Sequence, residues 1–322
     1  MSALPTPETP ETGRAQARPA GLLARLDESD LLYSFRRSPI VVVAAAISVL
    51  MILAAIFAPL VAPQDPFDMA QLDLLDSLLP PVWVEGGMWK YPLGTDDQGR
   101  DIFSTILYGA RISILVGFAS VAFAMILGIV LGLVAGYAGG WIDSLLMRIA
   151  DIQLSFPAIL IALLIDGVAR GIMGNLGHER IAFGVLILAI GLSFWVQYAR
   201  TVRGSVLVEK GKEYVQAAQV IGLPPALILF RHILPNVMGP VLVIATIQLA
   251  LAVITEATLS FLGVGVPPTS PSLGTLIRIG NDYLFSGEWW ITIFPGAALV
   301  ILVLSVNLLG DWLRDALNPK LR

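Results

Sequence analysis

The chain has 322 residues, of which 56% are hydrophobic and only 14% are charged, and its mean hydropathy is +0.80. Soluble domains carry about 25% charged residues, so this composition indicates a membrane protein. The net charge of -4 gives no electrostatic indication of nucleic-acid binding, and no nucleic-acid-binding motif is present in the sequence. The lack of Cys excludes disulfides, thiolate metal sites and thiol catalysis, and two His are too few for the usual multi-His metal centre.

Long apolar stretches recur along the chain. A transmembrane helix needs about 20 largely apolar residues. The first stretch follows a long polar and Pro-rich segment, so we expect it to remain as a membrane anchor and not to be removed as a signal peptide. The sequence therefore predicts an all-α membrane protein with six transmembrane helices, at residues 39–62, 112–136, 145–166, 181–199, 237–262 and 290–312.

The segment before the first span, residues 1–38, divides into two parts. Residues 1–20 repeat Thr, Pro and Glu and lack an apolar period, which predicts a disordered tail. In residues 22–37, Leu and Phe alternate with charged residues, as in a short helix that lies in the membrane interface. An extended linker is the alternative for this second part.

The positions of Lys and Arg predict the orientation, because segments rich in these residues stay in the cytoplasm. Most of the 20 fall on one side if both termini are cytoplasmic, including the C-terminal tail at 313–322. The acidic segment 63–111 then lies outside and is too long for a simple connection, which predicts a small extracytoplasmic subdomain. The remaining spans, residues 112–312, form the membrane core with a cytoplasmic loop at 200–236.

That cytoplasmic loop carries the most informative pattern, Glu213-Tyr-Val-Gln-Ala-Ala-Gln-Val-Ile-Gly-Leu-Pro-Pro. Ala217 and Ala218 are small enough to let another backbone approach a short helix closely. Gly222 can adopt the left-handed conformation that ends a helix, and Pro225 suits the first turn of the next one. The pattern predicts a helix-turn-helix elbow, which serves either internal packing or the docking of a partner.

The same loop resembles the "EAA" loop of the membrane subunits of bacterial ABC importers, which reads Glu-Ala-Ala, three residues, Gly, nine residues, Ile-x-Leu-Pro. The spacing from Ala218 through Gly222 to Leu234-Pro235 fits this form. Two positions depart from it, since Gln216 replaces the Glu and His232 replaces the Ile. Gln216 removes a carboxylate that could pair with a basic residue of an ATPase. We interpret His232 as a loop residue and not a catalytic base, because no nucleophile or set of metal ligands lies near it in sequence.

Four further runs, at 91–101, 108–113, 259–268 and 307–319, are similar to segments of the DppC/OppC permeases for dipeptides and oligopeptides. The resemblance implies a non-catalytic permease subunit in the bacterial inner membrane, working with a second homologous permease, two ATPase subunits and an extracytoplasmic solute-binding protein. ATP and magnesium would bind the ATPases, and this chain would hold no cofactor. The residues implied to couple it to an ATPase are Glu213, Tyr214, Gln216, Ala217, Ala218, Gly222, His232, Leu234 and Pro235.

The run from Leu93 to Asp101 precedes the second predicted span and is rich in Gly and Asp, the residues of tight turns. Asp96, Arg100, Asp101 and Arg111 are candidates for contact with the solute-binding protein. The alternative is a self-contained network in which Arg100 orders the loop through charge-assisted hydrogen bonds with the carboxylates.

Polar residues inside predicted spans are costly in lipid and are therefore candidates for a transport pathway. Glu256, Gln248 and Asp151 are such residues, although Glu256 could also bond to a neighbouring helix. Gly128, Gly132 and Gly136 share one helix face and predict close packing, against the same bundle or against a second subunit.

Other functions fit the sequence less well. Gly211-Lys212 lacks the Gly and Ser/Thr of a phosphate-binding loop, so ATP hydrolysis must come from a partner. A proton-coupled transporter that uses Glu256 and Asp151 is the rival from another class, but the two halves of the chain show no inverted repeat. An intramembrane enzyme would need a nucleophile and base, or a metal site, at span depth. Within the importer class, the substrate could be a peptide, nickel, glutathione, or an opine-like or sugar-like solute.

Overall fold

The computed structural model describes residues 30–68, 72–267 and 269–316. The tail predicted to be disordered, residues 1–20, and the end of the chain from residue 317 lie outside these ranges. The chain divides into two units, Met1–Pro39 and Ile40–Arg322. In the first unit, helix α1 (Asp30–Arg37) covers the described part of the segment predicted to form an interfacial helix.

From Pro39 onward the described residues are dominated by helices, with one isolated β-bridge between Thr95 and Asp101. Five helical segments are long and apolar enough to cross a membrane, or six if the bent pair α5 and α6 forms one span. A π-helical segment, Ile228–Ile233, joins α9 to α10 within a single span. The helices are α2 (Pro39–Ile56), α3 (Ala58–Val61), α4 (Ile102–Ala138), α5 (Gly140–Leu154), α6 (Ala158–Ile172), α7 (Ile181–Glu209), α8 (Glu213–Val220), α9 (Pro225–Leu227), α10 (Leu234–Phe261), α11 (Leu273–Tyr283) and α12 (Trp290–Ala316).

The predicted third span, 145–166, is not one straight helix. Helices α5 and α6 meet at 93° across residues 155–157. Pro157 has no N–H to donate and its ring disfavours a helical residue before it, so the helix stops here and a new one begins. Hydrophobicity alone gave the right length of apolar chain but could not show this bend.

Several helices extend beyond their predicted spans, including α12, which continues to Ala316 inside the predicted tail 313–322. Helix α4 starts at Ile102, inside the predicted outer segment 63–111, because the Asp101 side chain accepts a hydrogen bond from the Ser104 N–H and caps the helix. Helix α7 continues to Glu209, inside the predicted cytoplasmic loop 200–236. These helices thus continue past the apolar stretches that predicted them.

The glycine face of α4 packs against α7 of the same chain. A Cβ at Gly128 would lie 2.4 Å from Tyr198 Cβ, and one at Gly132 would lie 2.6 Å from the Ala199 carbonyl oxygen. A Cβ at Gly136 would lie 2.8 Å from Val206 Cβ. The glycine face thus packs within its own bundle and not against a second subunit. Glycine is needed here because a side chain would prevent so close an approach of the two helices.

Helix α11 was not predicted, and it lies between the last two spans. Gly274 packs against the backbone of Ala257 in α10, and Gly280 packs against Ile291 and Thr292 of α12. At the start of α12, the Trp290 indole N–H donates a 3.1 Å hydrogen bond to the Thr95 carbonyl oxygen. The Trp290 hydrogen bond joins residues 72–101 of the predicted outer segment to the start of α12.

Candidate functional site

The elbow, defined here as residues 213–227, has the geometry that the sequence predicts. Gly222 has φ = 84°, its N–H donates to Gln219, and the Leu223 N–H donates to the Ala218 carbonyl. This pair of bonds is the Schellman arrangement that ends a helix at a left-handed glycine. Helix α9 then begins at Pro225. The predicted helix-turn-helix elbow is confirmed.

One side of α8 is built into the protein interior. Val215 and Ala218 are buried in the same hydrophobic cluster as Ile228 and Ile233 of the π-helical segment and residues of α4, α7 and α10. Apolar burial of this kind favours a fixed position for α8 relative to the membrane helices. The elbow is thus continuous with the core.

The other side of α8 is exposed at the protein surface. Val220 and Ile221, at the C-terminal end of the helix, are 88% and 75% exposed. Glu213, Gln216 and Ala217 are exposed too, and the Gln216 side chain donates to the Gly211 carbonyl at 3.2 Å. Exposed apolar residues beside small and polar ones are typical of a surface that a partner protein covers.

A hydrogen-bond network joins the elbow to the helices before and after it. The Tyr214 hydroxyl donates to the Glu209 carboxylate at the end of α7 and accepts from Asn236 Nδ2 of α10 at 3.1 Å. Lys212 Nζ lies 2.6 Å from the same Glu209 carboxylate. Partial burial and the nearby carboxylate raise the pKa of the Tyr214 hydroxyl, so it keeps the proton that it donates.

The end of α7 is also tied to its neighbours. Lys210 Nζ donates to the Tyr137 carbonyl near the end of α4 at 2.6 Å and lies over the Tyr137 ring. Arg203 forms a two-point ion pair with Asp143 of α5, with Nη2 2.6 Å from Oδ2. The part of α7 that precedes the elbow is therefore bonded to both α4 and α5.

The remaining predicted coupling residues lie at the junction with α10. His232 is half-buried in the π-helical segment, and its carbonyl accepts a 2.7 Å hydrogen bond from Asn236. Leu234 and Pro235 open α10 directly after the π-helical segment, and Pro235 suits this first turn because its missing N–H leaves no donor unsatisfied.

The loop 93–101, which is predicted to lie outside, forms a buried network around Asp96. This carboxylate accepts hydrogen bonds from the N–H groups of Gln98 and Arg100, and Arg100 Nε lies 2.6 Å from Asp96 Oδ2. Asp96, Arg100 and Asp101 are 1%, 3% and 0% exposed. Burial is the largest influence on Asp96 and raises its pKa, while the Arg100 guanidinium acts in the opposite direction.

This arrangement matches the alternative of a self-contained turn network. Asp101 also receives a 2.6 Å hydrogen bond from the Ser104 hydroxyl, and its N–H donates to the Gln64 side chain. Arg111 lies apart from the network, exposed on the surface of α4. Contact with a solute-binding protein stays a prediction for this loop, and it would involve exposed residues and not the three buried side chains.

The predicted pathway residues are not brought together. Glu256 is fully buried between α10, α4 and α11, where it accepts a 2.7 Å hydrogen bond from Ser260. The Ser113 and Ser272 hydroxyls lie beside the same carboxyl group. Gln248 is buried and bonds to Gln197 of α7, whereas Asp151 is exposed and paired with Arg200. Glu256 thus lies where α4, α10 and α11 meet, and its predicted role in a transport pathway stays a prediction.

The sequence matches two family descriptions. Residues 128–322 match "Binding-protein-dependent transport system inner membrane component", and residues 29–81 match "N-terminal TM domain of oligopeptide transport permease C". The chain belongs to this family of transport permeases. Its membership places it among integral components of the inner membrane, and the described residues include five or six helical segments long and apolar enough to cross one.

Named relatives of the permease align over most of its length. It is 39% identical to the di/tripeptide transport system permease protein DppC of Pseudomonas aeruginosa, over 85% of this chain and 86% of that protein. It is also 39% identical to the oligopeptide transport system permease protein OppC of Bacillus subtilis, over 91% and 90% of the two chains. The resemblance to DppC/OppC permeases is thus confirmed.

A solved structure has the same fold as the permease. A chain of the MetNI methionine ABC transporter in an inward-facing conformation superimposes with a TM-score of 0.51 at 21% identity. The match covers 66% of this chain and 96% of that chain. It confirms the predicted all-α permease fold.

Sequence reasoning missed some residues that hold the elbow of the permease. Glu209 ends α7 and Asn236 lies in the first turn of α10, and both contact Tyr214. Lys210 ends the same stretch of chain and donates a hydrogen bond to the Tyr137 carbonyl of α4. These residues look like ordinary charged or polar loop residues in sequence, and only their spacing on either side of the elbow could have suggested a shared role.

Proposed function

We propose that this permease is one of two membrane subunits of an ATP-driven importer for dipeptides and oligopeptides. Its family membership and the peptide systems named for its relatives support this proposal. The observation that carries it is the elbow, which exposes Val220 and Ile221 while its other side is built into the membrane core. A surface of this kind suits a partner that exerts force on the membrane helices.

In this proposal, a second homologous permease completes the pathway and two ATPase subunits each hold one elbow. For this chain the docking surface comprises the exposed side of α8 and the turn at Gly222. Gln216 lacks the carboxylate of the related motif, so docking here relies on the small and apolar surface and not on an ion pair at that position. ATP and magnesium bind the ATPases, and this chain needs no cofactor.

The transport step is a rigid-body movement. Closure of the ATPases shifts α8, and the contacts of Tyr214 and Lys210 pass the shift to α7, α10 and α4. Because packed helices move as units, a small displacement at the elbow can change which side of the membrane the pathway opens to. The permease converts this displacement into alternating access and makes or breaks no covalent bond.

Both termini lie in the cytoplasm in this proposal, and a solute-binding protein delivers peptide to the outer face. The excess of Lys and Arg near the elbow and the two ends of the chain supports that orientation. It places the elbow on the side where ATP is available.

The test compares Gly222→Val with Gly222→Asn in the purified complex, reconstituted in vesicles with ATP and a labelled dipeptide. A Cβ at Gly222 meets nothing within 4 Å, so the effect of a substitution comes from its positive φ. Asn tolerates this conformation and Val does not. We expect Gly222→Val to lower peptide uptake per ATP hydrolysed, while Gly222→Asn stays close to the wild type. Normal coupling in Gly222→Val would refute the role of the elbow.

The substrate class needs a separate measurement. Mass spectrometry of the chains and small molecules that co-purify in mild detergent should find an ATPase, a second permease and a peptide held by the solute-binding protein. A nickel, glutathione, opine or sugar ligand would change the substrate and leave the importer class intact. Loss of uptake on collapse of the proton gradient, with ATP constant, would instead favour the proton-coupled transporter.

A further inference from the structure

One loop of the outer segment exposes several large apolar side chains. The loop runs from Val82 to Pro92 and is closed by a 3.2 Å hydrogen bond between the Val82 N–H and the Pro92 carbonyl. Trp83 is 60% exposed and Trp89 is 85% exposed. Val84 and Met88 of the same loop are exposed as well. A cluster of this kind is costly in water and indicates a surface that some apolar medium or partner covers.

The depth of this loop follows from its contact with α12. The uncharged part of α12 starts at Trp290 and ends before Asp311, which is about the 20 residues needed to cross the hydrocarbon core. Trp290 therefore lies at the outer boundary of the bilayer, and Phe294 lies about one helical turn further in. Any side chain beside Phe294 is at the level of the outer lipid headgroups or just below it.

Trp83 is such a side chain. Its ring packs edge-on against Phe294 with the ring centroids 6.0 Å apart. Trp289 contacts the same Phe294 ring at 5.7 Å and the Trp290 ring at 6.1 Å. The Trp83–Phe294 contact places this part of the loop beside the start of α12.

The surface next to this cluster is suited to lipid. Ile293, Val300 and Leu304 form an exposed apolar stripe on α12 that begins next to Phe294. The loop itself carries only Glu85 and Lys90 as charged residues, and Lys90 pairs with Asp76 at 3.0 Å. A nearly neutral aromatic surface that continues a lipid-facing stripe fits the headgroup region of phospholipids, where Trp is preferred.

We propose that the loop Val82–Pro92 lies in the outer leaflet and places Trp83 and Trp89 in the lipid interface. The loop then fixes the depth of the outer segment, which the Thr95 to Trp290 hydrogen bond joins to α12. This role rests on the orientation in the proposed function, with both termini in the cytoplasm, and does not depend on the substrate.

The test uses single-Cys spin labels, because the native chain has no Cys. Trp89→Cys and Met88→Cys are labelled in the complex, purified with its co-purifying subunits and reconstituted in phosphatidylcholine vesicles. Gln98→Cys, exposed in the outer segment, is the matched control for water, and Val300→Cys on α12 is the control for lipid. The measurement is the accessibility of each nitroxide to O₂, which enters the bilayer, and to a water-soluble nickel chelate.

We expect the labels at 88 and 89 to gain O₂ accessibility and lose nickel-chelate accessibility relative to the label at 98, with values between those at 98 and 300. Two labelled positions keep the test valid if one variant fails to assemble. Values equal to the label at 98 would overturn the proposal. Protection that appears only after soluble extracytoplasmic proteins are added would also overturn it and assign the loop to a protein contact.

Discussion

Tyr214 is the residue through which the elbow contacts both membrane helices that flank it. Its hydroxyl joins Glu209 at the end of α7 to Asn236 in the first turn of α10. The ring lies on α8, whose buried residues Val215 and Ala218 already fix one side of the helix in the core. The hydroxyl therefore adds a directional contact to packing that is otherwise apolar.

Removal of this hydroxyl should weaken the transmission of movement more than the fold. We expect Tyr214→Phe to cost about 1 kcal/mol of stability, the usual net value of a hydrogen bond, and to lower peptide uptake per ATP hydrolysed. Uptake and ATP hydrolysis are measured in the same vesicles. Tyr108→Phe, in the outer part of α4, is the matched control. Equal coupling in the two variants would show that the Tyr214 contacts are only structural.

The Asp96–Arg100 pair shows the cost of a buried charge. Both side chains are almost fully buried, so each charge depends on the other to offset the loss of its hydration. The Lys90–Asp76 pair of the same outer segment is different, because Lys90 is 64% exposed. The two ion pairs should therefore respond very differently to the loss of their cationic partner.

Arg100→Leu leaves the Asp96 carboxylate buried with only the backbone N–H groups as partners. We expect a loss of about 3 to 5 kcal/mol for this variant. Lys90→Ala should cost less than about 1 kcal/mol, as is usual for an exposed pair. Thermal unfolding in detergent, followed by protease sensitivity of the outer segment, measures both effects. Equal losses would contradict the buried network around Asp96.

At the scale of elements, the contact between α4 and α7 organises the core. Three glycines on one face of α4 let it approach α7 so closely that a Cβ would overlap backbone or side-chain atoms. The four-residue spacing predicted this face from the sequence. It could not predict the partner helix, because the same spacing serves contacts within a chain and between subunits.

Gly132→Val should separate the two helices. A Cβ at this position would lie 2.6 Å from the Ala199 carbonyl oxygen and 2.8 Å from Val202 Cβ, so we expect a loss of about 1 to 3 kcal/mol by overpacking. Gly204→Ala in α7 is the matched control, since a Cβ there meets nothing within 4 Å. Thermal unfolding of the purified complex should show a lower Tm for Gly132→Val only. An unchanged Tm would contradict this packing.

At the scale of the whole molecule, the two ends of the membrane core carry separate networks. One network joins Gln64, Thr95 and Asp101 to the ends of α4 and α12. The other network joins the elbow to α4, α7 and α10. The two share no residue, so stability and coupling should be separable properties of this permease.

The double variant Arg100→Leu/Tyr214→Phe tests this separation. Distant sites without shared partners usually have additive effects on stability. We expect the losses in unfolding free energy to add, and the coupling ratio to equal that of Tyr214→Phe alone. Unfolding and vesicle transport assays measure the two quantities. A coupling ratio well below that of the single variant would show that the two networks communicate through the membrane.

The sequence by itself determined the class of the protein, the approximate spans and the elbow. These depend on local properties: the length of apolar runs, the left-handed conformation of Gly222 and the start of α9 at Pro225. The resemblance to peptide permeases likewise depended on motifs within short segments.

Only the tertiary structure decided which distant residues meet. It bent the third span at Pro157, formed α11 against Ala257, and enclosed Asp96, Arg100 and Glu256 among neighbouring helices and turns. It also joined Glu209, Tyr214 and Asn236 into one network. The physical reason is that burial and hydrogen-bond partners across the chain are set by helix packing, and a residue's own neighbours in sequence do not specify that packing.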